Sequence, residues 1–362
     1  MKAQVEALRR AGFDVALSDL ALDDQGEYRG RLIDGNLVDE YVDSFALKRK
    51  WKWRFKFENV LKYISSEKIE FLYIRYTHFA SPIFTKFLES VKKLGVIIFI
   101  EIPTYPYDDE YRDAGKALQA SLWLERLSRK SFAKYVDRIL TYSEDGSIFG
   151  VQTVQIDNGV DMADTPLKKM SRQHNRFSIL AVSSMEYWHG YDRLIAGLRN
   201  YYDRHGEIEV TINFAGGTAT PTAKKYIEQV AQLKLIERVN FHGYVSGERL
   251  CQLFDEADVA VGVLGGHRKS LHSFKSLKNR EYCARGIPFA YSGSDATFDS
   301  QSFALKIPAN DSPVDIEFFI RWASEAKRHL HEMRAFAERR ISWDTQMQLV
   351  GAEYSRVTGL SI

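Results

Sequence analysis

Between Val261 and Phe289 an apolar run ends in glycines, passes into a basic loop and continues into a stretch of helical periodicity that stops at Gly286. Arg268, Lys269, Lys275 and Lys278 gather where that helix, opening near Ser276, would present free N–H groups. Cations beside a helix start suit a diphosphate. Glu281, one turn beyond Lys278, is placed to accept hydrogen bonds from vicinal hydroxyls, as acidic residues do with ribose. A solvated helix with a Lys278–Glu281 pair has the same spacing, and that reading stays open. Two other turns offer similar chemistry. In Phe177–Ile195 a strand leads through a polar loop to His189 and Gly190 at a helix start, where loop amides bind anions. In Phe214–Thr218 the adjacent Gly216 and Gly217 repeat the arrangement. Gly243 and Tyr244, after the strand candidate Val239–His242, are counted with them.

The first half carries a different set. Phe71–Phe79 places Arg75, Thr77 and His78 at the end of an apolar strand. The next strand closes on Glu101 and runs into a loop with Tyr105, Tyr107 and three carboxylates. An unpaired carboxylate after five apolar residues is costly, so Glu101 is expected to reach a cleft or to pair with Arg75. Tyrosines and carboxylates suit a sugar, whose hydroxyls need hydrogen bonds and whose C–H faces pack on aromatics. Arg75, Thr77, His78, Glu101, Tyr105 and Tyr107 are therefore candidates to bind a sugar, with Glu101 and His78 the candidates for a catalytic role. A purely structural Arg75–Glu101 ion pair is the competing reading. Lys48–Phe57 alternates cations with aromatics. It could dock on an anionic membrane surface, or pack its aromatics beneath lysines that snorkel.

These groups need a framework that gathers strand ends. Short apolar runs alternate with amphipathic stretches, the pattern of parallel sheets flanked by helices. Strands are expected at Phe13–Leu17, Phe71–Arg75, Val96–Ile102 and Arg138–Tyr142, then at Phe177–Val182, Glu209–Ala215, Val239–His242, Val259–Val263 and Pro288–Tyr291. Helices are expected at Lys2–Ala11, Ser81–Leu94, Asp192–Tyr202, Lys224–Leu233, Gly247–Glu256, Lys278–Arg285 and Ile316–Arg339. With 362 residues, 45% of them hydrophobic, the chain suits two doubly wound α/β domains. The expected division is 1–164 and 165–341, with a final helix from Ser342 (342–362) returning to the first domain. Ligands of such sheets bind at the carboxyl ends of the strands. A doubly wound domain normally opens on a central strand, and nothing ahead of Lys2 supplies one here. The first sheet is expected to be incomplete at its centre.

Composition limits the partners. Lys+Arg 50 against Asp+Glu 48 leaves a net charge of +2, which argues against nucleic acid and makes any anion site local. Cys251 and Cys283 form no CxxC and no metal-like spacing, which suits free thiols in a reducing cytoplasm. No stretch reaches the roughly 18 uninterrupted apolar residues of a membrane span. The chain is placed in the cytoplasm, or at the inner membrane face if residues 48–57 dock there.

Three motifs together resemble the retaining glycosyltransferases of family 4. Asn158-Gly-Val-Asp161 is similar to that family's turn before the interdomain linker. Glu281–Phe289 is similar to its Glu-Ala-Met-Ala-x-Gly-x-Pro-Val element, and Ser342-Trp-Asp344 to the Ser-Trp-Glu that opens its terminal helix. The resemblance implies the GT-B architecture, two facing Rossmann-like domains. It also implies sugar transfer from a UDP- or GDP-sugar to a glycan or lipid-linked acceptor in surface polysaccharide or glycoconjugate synthesis. No metal or other cofactor is implied. By the same resemblance Glu281 binds the ribose, Ser273 stands where the family has its first donor-site glutamate, and Ser184 and His189 stand where it has phosphate-binding cations. A nucleotide-sugar 2-epimerase and a non-catalytic nucleotide-sugar-binding protein are the alternatives.

Overall fold

The computed structural model describes residues 2–41, 46–78, 80–108, 115–169, 176–269, 273, 275–326 and 329–361. They form two compact units, Met1–Asp157 with Gln346–Ile362, and Asn158–Thr345.

The first unit opens on helix α1 (Lys2–Arg10), which buries Val5, Ala7 and Leu8 and ends at Gly12 with φ +102°. The strand expected at Phe13–Leu17 is not formed. The chain instead enters an antiparallel sheet of β1 (Ser18–Leu22), β2 (Tyr28–Ile33) and β3 (Asn36–Glu40). Asp34 and Gly35 both sit at positive φ between β2 and β3, the backbone of a two-residue hairpin turn. That Asp-Gly pair was the local signal for this sheet. Helices α2 (Ala46–Phe55) and α3 (Glu58–Ser66) follow. Two aromatics of the basic segment turn inward: Arg31 lies over the Trp53 and Phe57 rings, and Phe57 stacks on Phe87 at 4.6 Å.

Next come β4 (Phe71–Arg75), α4 (Pro82–Lys93), β5 (Ile97–Ile102), α5 (Lys116–Ala133), β6 (Arg138–Thr141), β7 (Ser147–Ile148) and β8 (Val151–Gln155). The strands form one sheet in the order β4-β5-β6-β8-β7, parallel except at the β7–β8 hairpin. β4 is its end strand, and no described strand lies along its other edge. Leu88, Val91, Ile98 and Ile100 are wholly enclosed between sheet and helices.

The second unit is a six-stranded parallel sheet in the order β11-β10-β9-β12-β13-β14. Its strands are β9 (Arg176–Val182), β10 (Glu209–Ala215), β11 (Val239–Phe241), β12 (Val259–Val261), β13 (Phe289–Ser292) and β14 (Ala304–Ile307). The connecting helices are α6 (Tyr191–Asp203), α7 (Pro221–Gln232), α8 (Gly247–Glu256) and α9 (Leu277–Ala284), followed by α10 (Ile316–Ala326) and α11 (Leu330–Arg340). The single helix expected over Ile316–Arg339 is therefore described as two, with residues 327–328 outside the described ones. The strand order reverses between β9 and β12, so the loops after these two strands leave in opposite directions and open a crevice.

The last helix, α12 (Trp343–Thr358), starts in the second unit and continues in the first. At its start, Val160 and Ser342 form a parallel bridge. A Cβ on Gly159 would lie 2.3 Å from the Trp343 ring. The Asn-Gly-Val-Asp turn and the Ser-Trp-Asp segment thus demand one another: the indole fills the space that only glycine leaves. Further along, Tyr354 packs on Phe71 and Phe13 with ring centroids 5.0 and 5.5 Å apart. Among the described residues no helix is long and apolar enough to cross a membrane.

Candidate functional site

Two glycines close the crevice of the second unit. Gly190 caps the start of α6 at φ +70°, where a Cβ would lie 2.6 Å from the Gly265 nitrogen. The loops after β9 and β12 therefore touch backbone to backbone. Gly216 has φ +155°, and a Cβ there would lie 1.7 Å from the Ser183 carbonyl oxygen. The Gly216 amide donates to the Gly243 carbonyl at 2.7 Å. The ends of β9, β10 and β11, with Ser184, Gly217 and the exposed Tyr244, are gathered by these contacts.

His189 is buried against Trp188 and Tyr191. Its Nδ1 accepts from the Glu186 amide at 3.1 Å, so the neutral ring carries its proton on Nε2. Nε2 lies 3.0 Å from Lys278 Nζ in the first turn of α9. Burial, and then the neighbouring Lys278, pull the His189 pKa down to about 3. Burial pulls Lys278 down to about 7. With its pKa drawn down to about 7, the Lys278 amine gives up its proton readily and then accepts from the ring's Nε2–H. An arriving anion would restore that charge. The Ser276 hydroxyl does not cap α9, and the first N–H groups of a helix are where an anion can bind.

The other candidates are distributed differently. Glu281 pairs with Arg285, not with Lys278; both contacts, 3.0 and 2.9 Å, fall on Oε1. Arg268 is committed to the protein: it donates to both Asp192 oxygens at 2.9 and 2.8 Å, to Asp311 at 2.8 Å and to the Tyr187 carbonyl at 2.8 Å. It clamps the loop after β12 to the start of α6. The Lys275 carbonyl accepts from Asn158 Nδ2 at 3.3 Å, and Ser273 forms a parallel bridge with Ser294. The sequence reading missed Arg280 and Asn279. Arg280 is wholly buried and forks onto Asp295 at 2.6 and 3.0 Å, which fixes α9 from beneath. Asn279 is also buried, and its amide has no partner among the described residues.

In the first unit the strand ends hold two clusters. Glu101 is fully enclosed and accepts from Tyr73 at 2.6 Å, Tyr142 at 2.8 Å and Gln4 at 2.9 Å. Arg75 Nε stands 3.8 Å away, and Arg75 also donates to Gln4. The open-facing carboxylate considered for catalysis is therefore a buried node, and its ion pair with Arg75 is present. The second cluster centres on Glu125, which accepts from Tyr76 and Tyr107 at 2.6 Å each and from Arg129 at 2.7 Å. His78, at φ +57°, meets the Tyr107 ring edge-on at 4.2 Å, and burial lowers its pKa. Tyr107 is buried, Tyr105 and His78 are partly so, and only Arg75 and Thr77 are exposed.

Glu101→Gln is expected to cost about 2 to 3 kcal/mol, because an amide N–H would face donors that now meet a carboxylate. Thermal unfolding should show an early transition; normal melting would mean that the fold does not need the Glu101 charge.

No protein-family model matches the chain, and no curated protein matches it by sequence. Solved structures do. A sucrose-phosphate synthase from Thermosynechococcus elongatus is similar at TM-score 0.63 and 15% identity, over 98% of this chain and 92% of that one. Anabaena HepE in complex with UDP is similar at TM-score 0.60 and 15% identity, over 82% of each chain. The lipopolysaccharide outer core galactosyltransferase WaaB, in its apo form, is similar at TM-score 0.54 and 13% identity, over 87% of this chain and 82% of that one. These likenesses show the fold, GT-B with its two Rossmann-like units.

Proposed function

We propose that this chain is a glycosyltransferase that moves a sugar from a nucleotide-sugar donor to a hydroxyl of a glycan or glycolipid, with retention, as in the family 4 enzymes its motifs resemble. The observation that carries this reading is the Lys278–His189 pair at the uncapped start of α9, beside the switch point of the second sheet. The donor diphosphate sits there, against the Lys278 ammonium, the first N–H groups of α9 and the glycine loop at 216–217. The ribose reaches Glu281 through Oε2, the oxygen that Arg285 does not use. Departure of the diphosphate builds negative charge, and preorganised N–H donors and a cation stabilise it electrostatically. HepE, of the same fold, is described in complex with UDP, with UDP and glucose, and with UDP-glucose, which makes UDP-glucose the first donor to try.

Arg75, Thr77, His78 and Tyr105 of the first unit are proposed to meet the acceptor, since they remain accessible at the strand ends. Glu101 and Tyr107 support them from beneath. A second reading, donor binding without transfer, is favoured by Ser273 and Ser184, which bring neither carboxylate nor cation to the site.

Calorimetry with UDP and UDP-glucose tests the donor site. Glu281→Ala is expected to weaken both by about 1 to 3 kcal/mol, the loss of hydrogen bonds to a charged acceptor; unchanged affinity would displace the ribose from Glu281. Donor turnover with a panel of glycan and glycolipid acceptors separates the two readings, because tight donor binding with no transfer to any of them favours the second.

A further inference from the structure

Glu125, midway along α5, is fully enclosed. A buried carboxylate is costly unless donors surround it. Tyr76 and Tyr107 each donate to its Oε1 at 2.6 Å, and Arg129 Nε donates to its Oε2 at 2.7 Å. Arg129 also forks onto Asp108 at 2.9 and 2.8 Å, with its guanidinium 4.6 Å from the Tyr107 ring. Burial, with the Glu125 charge adding to it, raises the pKa of both phenols, so each keeps its proton and donates. The two tyrosines come from different loops: Tyr76 directly follows β4, and Tyr107 lies in the loop after β5. One carboxylate oxygen therefore sets the spacing of two strand-end loops.

His78 is gripped between those loops. Its ring meets Tyr107 edge-on at 4.2 Å and lies 5.7 Å from the Tyr76 ring. The Tyr76 hydroxyl accepts from the Ala80 amide at 3.2 Å, across Thr77 and His78, and Arg54 donates to the His78 carbonyl. These contacts hold His78 at φ +57°, a left-handed backbone that a residue with a Cβ adopts only at a cost. Fold stability alone does not call for this arrangement, because apolar side chains of similar volume fill a core as well as a buried ion pair does. Strain held by buried polar groups at strand ends is the mark of a geometry in use.

We infer that Glu125 is a positioning residue for the acceptor: through the hydroxyls of Tyr76 and Tyr107 it locks the loops after β4 and β5 together and fixes the His78 imidazole. The role in transfer rests on the acceptor site proposed above, whereas the hold of Glu125 on His78 does not.

Tyr76→Phe with Tyr107→Phe tests both parts, since it cuts the two ties and keeps the rings and the Glu125 charge. Tyr107→Phe alone serves if the double variant does not fold. The first readout is the titration of the His78 ring, followed by NMR in the full chain. Burial is the main reason its pKa lies low; Glu125 and Asp108 raise it, and Arg129 and Arg54 lower it. All four charges remain in the variant, so release of the loops wets the imidazole and its midpoint should rise toward about 6.5. An unchanged midpoint would overturn the inference. The second readout is transfer from UDP-glucose to a panel of glycans and glycolipids that includes maltose and dodecyl maltoside. The acceptor KM should rise about tenfold, the cost of a misplaced binding group, while UDP affinity by calorimetry stays as it was. A fold-only role would lower the active fraction and hence kcat without moving KM, and that result would also overturn the inference. Transfer by the wild type to no member of the panel would remove the acceptor reading instead, and the titration would still decide what holds His78.

Discussion

UDP affinity is expected to fall about tenfold for each pH unit between pH 7 and pH 9, and to lose that dependence in Lys278→Met. Burial holds the Lys278 amine at about 7. Below that value the group is an ammonium; above it, a neutral amine accepting from His189 Nε2. A diphosphate favours the ammonium, so above pH 7 binding takes up one proton, and each further unit costs about 1.4 kcal/mol. The ligand adds no change of its own in this window, since a terminal phosphate titrates at about 6. Lys278→Met should weaken UDP about 10- to 100-fold at pH 6, the worth of a hydrogen bond to a charged group. Its affinity should then be flat from pH 7 to pH 9. Calorimetry in two buffers of different ionisation heat reads the proton uptake directly. A pH-independent wild type would place the phosphates away from Lys278.

The largest stability loss is expected from Arg280→Ala. Arg280 and Asp295 are enclosed together, with the fork at 2.6 and 3.0 Å, a third bond from Arg280 to Thr297, and the guanidinium 5.1 Å from the Phe298 ring. Removing the cation leaves a carboxylate buried without its partner, which costs about 3 to 5 kcal/mol. Urea unfolding of the second unit should show that loss. UDP binding at saturating protein should survive in the folded fraction, since Arg280 supports α9 without facing the ligand. Replacing both residues by apolar groups, Arg280→Met with Asp295→Leu, should recover much of the stability, because the cost lies in the orphaned charge. A loss below about 1 kcal/mol in the single variant would mean that water reaches Asp295.

Much of the candidate site was legible locally. The strands β9, β10 and β12, the glycine turns at 190 and 216, and the cationic start of α9 all show within windows of a dozen residues. Apolar periodicity and glycine spacing act over that distance. The hairpin sheet of β1 to β3 was not read from the sequence, although Asp34-Gly35 carries its local signal.

What the sequence by itself determined is most of the strands and helices of the second unit, and hence that cations, glycines and a carboxylate stand at strand ends. What only the tertiary structure decided is how each charge is used. His189 lies 89 residues from Lys278, and Gln4 lies 97 from the carboxylate it helps enclose. Arg268, an equally good phosphate ligand on sequence grounds, is taken by Asp192 and Asp311. Glu281 pairs with Arg285 and leaves Lys278 to the imidazole. The reason is physical: a side chain's charge and hydrogen-bonding capacity belong to its type, whereas its pKa and its partner depend on burial and on the order in which strands assemble.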